Sequence, residues 1–205
     1  MTDSDAGVTA RLRALLIAPP GAGKGTQATA ISAEFGIPTI STGELFRAEI
    51  AAGTELGRIV KAYVDRGDLV PDGLVEELVR AKVQEAVREI GGYLLDGFPR
   101  TLAQARSAHT FAVELGIAAH AVLTFDVPRP ALLTRLLDRA GEGRTDDAVA
   151  TIMHRLEVYD RETAPVLDYY AELGVLIRIP ADGPIPDVTA ATMAALHAVL
   201  ATTAG

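Results

Sequence analysis

Short apolar runs alternate along this chain with longer stretches in which apolar residues recur every three or four positions. The runs rich in branched residues, at 13–17 (RALLI), 37–40 (IPTI), 92–96 (GYLLD), 120–127 (HAVLTFDV) and 175–179 (VLIRI), read as strands. Helical periodicity begins near Gly25, Gly43, Asp72, Thr101, Arg129 and Asp147, with a last stretch near Asp187. Strand and helix in alternation build βαβ units, so the pattern predicts an α/β fold: a five-stranded parallel sheet with helices on both faces, three layers in all. Residues 41–95 interrupt the rhythm with consecutive helical stretches, which reads as an excursion from the sheet. Residues 138–147 (DRAGEGRTDD) read as a polar loop. The stretch 157–170 (EVYDRETAPVLDYY) reads as a long helix interrupted near Pro165, and 191–201 (ATMAALHAVLA) as a core-packing helix rather than a membrane anchor. With no internal repeat and no linker, residues 1–205 form one predicted domain.

Composition narrows the class of partner. The chain has 205 residues, 49% hydrophobic and 22% charged, with a formal net charge of -8, the profile of one soluble domain. An acidic excess of that size opposes sequence-independent binding to nucleic acid or an anionic membrane, which leaves a small-molecule partner. Cysteine is absent, so disulfides and thiolate metal sites are excluded and a reducing, cytoplasmic location is expected. The N-terminal MTDSDAGVTARLR has no apolar signal core, and no apolar run approaches the roughly 20 residues that cross a bilayer. His109, His120, His154 and His197 lack metal-ligand spacing and read as surface or core histidines.

Residues 15–27 (LLIAPPGAGKGTQ) carry the chemistry most plainly. They join a predicted strand to a predicted helix, the setting in which a glycine-rich loop binds phosphate. Gly21, Ala22, Gly23 and Gly25 bring backbone N–H groups together at a helix N-terminus, Lys24 supplies a point charge, and Thr26 a hydroxyl. A plain glycine-rich turn is the blander reading, outweighed once the lysine, the threonine and the strand-loop-helix setting are added. Measured against the general pattern G-x-x-x-x-G-K-[ST], Ala18 replaces the first glycine and Gly25 the hydroxyl residue. The chain contains no asparagine, so the N-K-x-D guanine motif of common GTPases is absent.

Three further segments, STGELFR (41–47), RGDLVPD (66–72) and DGFPRTLAQA (96–105), follow in order, and with the loop they resemble an adenylate kinase of the short-lid form, from about Arg13 to the C-terminal helix. That family's loop reads G-x-P-G-x-G-K-G-T, so Gly25 before Thr26 is its own usage and only Ala18 departs from it. The resemblance implies a P-loop fold with a nucleoside monophosphate-binding excursion at about 41–70, a short lid at about 138–148, and reversible transfer of a phosphoryl group from MgATP to AMP. It implies ATP contacts from Gly21 to Thr26, at Arg139, and at Gly183 and Ile185 for the adenine. On the AMP side it implies Thr42, Arg47, Asp68, Leu69, Val70, Gly97, Phe98, Pro99, Arg100 and Gln104, with Gln104 reading the base. Lys24, Arg100, Arg139, Arg144 and Arg155 would be catalytic, Arg144 and Arg155 clamping the transferring group on the AMP side; Arg135 points the same way. Asp96 would hold Mg²⁺ through water, Asp146 and Asp147 would help the lid close, and no zinc is expected in so short a lid. A monomer is expected. Two alternatives stay open at this stage: a kinase for UMP, CMP or another monophosphate, and a nucleotide-binding relative impaired in catalysis, for which Ala18 is the argument.

Overall fold

The computed structural model describes residues 11–140 and 149–203. Five strands, β1 (Arg13–Leu16), β2 (Thr39–Ser41), β3 (Tyr93–Asp96), β4 (Ala121–Asp126) and β5 (Leu176–Pro180), form a single parallel sheet in the order β2-β3-β1-β4-β5. The α/β expectation holds, with strand ends moved by a residue or two. β2 begins at Thr39 rather than at 37 because Pro38, having no N–H, joins the ladder only through its carbonyl, which accepts from Leu94 N.

Alternation along β1, β3 and β4 feeds two cores, one per face. Ala14 and Leu16 of β1, Leu94 of β3, and Ala121, Leu123 and Phe125 of β4 join one cluster. Leu15, Tyr93, Leu95 and Val122 join the other. Both faces of a parallel sheet are covered, so these strands read as unbroken apolar runs rather than as alternating ones.

Among the described residues, the helices are α1 (Lys24–Phe35), α2 (Thr42–Ala52), α3 (Glu55–Arg66), α4 (Asp72–Glu89), α5 (Leu102–Glu114), α6 (Arg129–Ala140), α7 (Val149–Val158), α8 (Ala164–Glu172) and α9 (Ile185–Thr203). The excursion between β2 and β3 is thus three helices. Gly53 ends α2 in the left-handed region at φ 66°, and Thr54 caps α3 by accepting from Gly57 N at 2.9 Å. The break expected at Pro165 lies just ahead of it: a π-helical turn, Tyr159–Thr163, joins α7 to α8. Proline cannot donate back along the helix and its ring crowds the preceding turn, so widening that turn accommodates it at the second position of α8. By length and composition α9 could span a bilayer, its residues 185–202 having a mean hydropathy of 1.3. Val188 and Leu196 of this helix nevertheless pack into the core, where α9 lies against β5 and α1.

Candidate active site

Strand register builds the site. Leu16 lies opposite Asp96, and Asp96 opposite Ser41, so β1, β2 and β3 end level with one another. The loop after β1, the start of α2 and the turn after β3 therefore emerge side by side. Because β1 stands between β3 and β4, this edge is also where the sheet's connections diverge, the place at which open α/β sheets bind ligands. A cleft of about 730 Å³ opens there.

One wall is the glycine-rich loop. Gly21 and Gly23 take φ of 81° and 90°, a region open to glycine, and lead directly into α1. No side chain caps α1 and its first turn holds no acid, so its N-terminal amides and positive dipole end face the cleft. Lys24 lies across the loop, its Nζ donating to the carbonyls of Ala18 at 2.7 Å and Pro19 at 3.1 Å. Thr26 is exposed on the lining. No described non-glycine residue has a positive φ, Ala18 included, and its methyl is packed in the core at 5% exposure. Alanine therefore fits this position without strain, and its carbonyl still serves Lys24.

The facing wall is built around Gly97. Thr42, 1% exposed, donates its hydroxyl to Gly97 O at 3.0 Å, and Arg100 Nε donates to the same carbonyl at 2.7 Å. Gly97 has φ 82°, and a Cβ there would stand 2.6 Å from Thr42 Oγ1 and 2.9 Å from Arg100 Nη2. The Arg100 carbonyl accepts from Thr163 Oγ1 at 2.9 Å. Arg100 is exposed to solvent, yet the protein atoms crowding it lower its pKa from the ordinary arginine value by desolvation; Asp96 opposes that shift and Arg155 adds to it. Arginine remains charged regardless. Asp96 Oδ2 accepts from Ser41 Oγ at 3.4 Å, whereas its Oδ1 is buried without a hydrogen-bond partner.

Gln104 is 2% exposed, and its carboxamide is held at both ends. Nε2 donates to Asp72 Oδ1 at 2.6 Å, and Oε1 accepts from Arg100 N at 2.7 Å. Further round, Asp68 takes Arg66 Nε at 2.8 Å and His154 Nε2 at 2.7 Å, and these two hydrogen bonds hold its carboxyl below the usual range. The turn holding Asp68 thus touches α7, with Gly67 close against Arg155 and Thr151. Arg135 lines the cleft and donates to Ala181 O at 2.9 Å, tying α6 to the chain just after β5.

The lining brings together Gly21 to Thr26, Thr42, Arg47, Asp68, Leu69, Val70, Asp96, Gly97, Pro99, Arg100, Gln104 and Arg155. Three expected contacts fall outside it. Phe98 is 2% exposed, its ring packed in the core as the chain turns at Gly97. Gly183 and Ile185 lie past β5, an edge strand, with Ile185 61% exposed. Arg144, Asp146, Asp147 and most of the expected lid lie outside the described residues, as does the side chain of Arg139. Sequence reading missed Asp72, His154 and Thr163. Each acts on a partner distant in sequence, and no local pattern signals such a contact.

A glycine-built loop before an uncapped helix, facing a second basic wall across the switch point of a parallel sheet, defines a P-loop protein of the nucleotide kinase class. A family model described as adenylate kinase matches residues 16–175. Over 186 residues, 90% of this chain, it is 46% identical to the adenylate kinase of Thermobifida fusca, covering 98% of that protein. It is 48% identical to that of Kocuria rhizophila over the same shares, and 49% identical over 185 residues to that of Mycobacteroides abscessus, covering 99% of the latter. The chain belongs to the adenylate kinase family.

Proposed function

We infer that this enzyme transfers the terminal phosphoryl group of ATP to AMP, reversibly, giving two ADP. The observation that carries the reading is the pairing of two anion sites across one cleft: the α1 N-terminus with Lys24 on one wall, and Arg47, Arg100 and Arg155 on the other, with Asp96 at the sheet edge between them. Phosphoryl transfer needs reactants held in line and charge neutralised at the transferring oxygens, and it asks for little covalent help. On this reading the loop amides hold the triphosphate, and Lys24 exchanges its contacts with the Ala18 and Pro19 carbonyls for phosphate oxygens. Arg100, aimed by Gly97 and Thr163, holds the AMP phosphate. Arg155 and, on the family resemblance, Arg139 and Arg144 stabilise the group in transit. Thr42 anchors the AMP wall, and Gln104 meets the adenine edge with one donor and one acceptor.

The residues present fit Mg²⁺. The Asp96 Oδ1, buried and unpartnered, suits a water-bound cation, and the Thr26 hydroxyl belongs to the same cleft lining. Mg²⁺, when bound with ATP, neutralises charge on the phosphate oxygens. The adenine of ATP is assigned to the chain around Gly183 and Ile185. Residues 41–70 serve as the AMP-binding segment of a single domain and 138–148 as its lid. The net charge of -8 supports small nucleotides as partners, with no role for nucleic acid or membrane, and we place the protein in the cytoplasm as a monomer. A coupled assay of ADP formation from ATP with AMP, CMP or UMP tests the reading. Activity with AMP well above the pyrimidine nucleotides is expected; activity greatest with CMP or UMP, or none with any, would overturn it.

A further inference from the structure

Gln104 has both ends of its carboxamide fixed by groups that cannot exchange roles. Nε2 donates to Asp72 Oδ1 at 2.6 Å, and Oε1 accepts from the Arg100 peptide N–H at 2.7 Å. A carboxylate only accepts and a peptide N–H only donates. Turning the amide over would set oxygen against oxygen and N–H against N–H, in a site where Gln104 is 2% exposed and water offers little relief. Asp72 is itself held in place. Its Oδ2 accepts from Thr101 Oγ1 at 3.2 Å, and that oxygen accepts from Gln104 N at 3.1 Å, so one carboxylate and one hydroxyl brace both the backbone and the side chain of Gln104. Asp72 also opens α4, where an acid is favoured by the helix dipole.

The amide keeps one unused donor on Nε2 and one unused acceptor position on Oε1. With the flip forbidden, those two are offered in one fixed order. We propose that Asp72 is a positioning residue that sets base choice: by locking the Gln104 carboxamide, it lets the site take a 6-amino purine and refuse a 6-oxo purine. The proposal rests on the reading of Gln104 as facing the base. A 6-amino purine offers an acceptor at N1 and a donor at its exocyclic amine, and both find partners. A 6-oxo purine reverses both groups, meeting N–H with N–H and oxygen with oxygen. Only a flipped Gln104 would suit it, and Asp72, together with the Arg100 N–H, opposes the flip. Rejection by unpaired buried polar groups is the strongest form of selectivity that a small site offers.

The test compares kcat/KM for AMP and for inosine monophosphate, ATP being the donor, in the full-length enzyme, Asp72→Asn and Gln104→Leu. Asparagine can donate as well as accept, so Asp72→Asn removes the oxygen–oxygen clash of the flipped amide and leaves a single opposing contact, at the Arg100 N–H. The AMP-over-IMP ratio should fall at least ~10-fold, with activity on IMP rising above that of the parent, a response that mere structural damage does not produce. Gln104→Leu should lower activity on AMP without raising it on IMP. If Gln104→Leu leaves activity on AMP unchanged, Gln104 does not face the base and the underlying reading fails. If Gln104→Leu lowers activity on AMP while Asp72→Asn keeps the parental ratio, Gln104 reads the base and the proposal for Asp72 is overturned. Should Asp72→Asn not fold, Asp72→Ser, whose hydroxyl can donate or accept, takes its place with the same outcomes.

Discussion

Gly97→Ala separates the geometry of the wall built around Gly97, proposed to bind AMP, from general stability. At φ 82° a Cβ costs about 1–2 kcal/mol. The same atom would stand 2.6 Å from Thr42 Oγ1 and 2.9 Å from Arg100 Nη2, both well inside van der Waals contact. Thr42 is 1% exposed and donates to the Gly97 carbonyl, so it cannot swing aside without losing that bond, worth about 1 kcal/mol. Arg100 has more room and will move, which releases its 2.7 Å bond to the same carbonyl. The expected stability loss is therefore about 2–3 kcal/mol. A displacement of the guanidinium by about 1 Å should lower kcat/KM for AMP on the order of 100-fold.

Gly116→Ala is the matched control, because Gly116 has φ 66° and a Cβ there would meet nothing within 4 Å. It should lose about 1–2 kcal/mol, several degrees in Tm, and keep its turnover. Coupled ADP formation and thermal unfolding, run on both variants, supply the two readouts. Gly97→Ala with near-normal kcat/KM, or Gly116→Ala with an equal loss of activity, would refute the assignment of Gly97 as the pivot that aims Arg100.

Lys24→Met should lower kcat at least ~100-fold in a protein that still folds; near-normal turnover would remove Lys24 from the reaction. Ala18→Gly deletes a packed methyl and adds backbone freedom, so it should reduce stability by about 1 kcal/mol while kcat/KM stays within about tenfold; a large gain in activity would mean that alanine had been impairing the loop. Burial pushes the Tyr93 phenol up to about 12, as it does Tyr159, while the Tyr93 hydroxyl donates to Ile117 O at 3.0 Å. Below pH ~10 the phenol is neutral folded or unfolded and contributes no pH dependence; above it only the unfolded chain ionises, so stability should fall as pH rises from about 10 to 12, Tyr93 accounting for about 2–3 kcal/mol of the fall. Denaturant titrations should show a shallower fall in Tyr93→Phe, and an unchanged one would refute the assignment.

The three central strands, β1, β3 and β4, were legible because each feeds both cores and so is apolar at successive positions. Their order was not, since apolar runs carry no record of which neighbour they meet; β1 occupies the centre through its pairing with β3 and β4, both remote in sequence. The helical excursion was legible as helices without strands, and Gly53 with Thr54 divides it where local chemistry dictates. The widened turn before Pro165 shows a local signal displaced by its remedy: the proline ends regular helix, but the backbone adjusts in the turn it crowds, one step earlier in the chain.

The candidate site divides along the same line. The phosphate loop is a contiguous run whose function lies in its own backbone, so residues 15–27 show it on sight, Ala18 included. What aims the other wall is assembled from pairs far apart in the chain: Gln104 with Asp72 across 32 residues, Arg100 with Thr163 across 63, and Asp68 with His154 across 86. In each pair a residue expected to touch ligand is held by one to which the sequence assigned no contact, Asp72 included although it closes the segment 66–72. His154 reads from sequence as a surface or core histidine, and in the structure it binds the carboxylate of Asp68, which lines the cleft near Val70. A motif fixes which groups meet the ligand. The orientation of those groups, and hence the choice between nucleotides whose bases differ by one donor and one acceptor, is set by the residues behind them. Those residues become visible only when the sheet has brought three strand ends level.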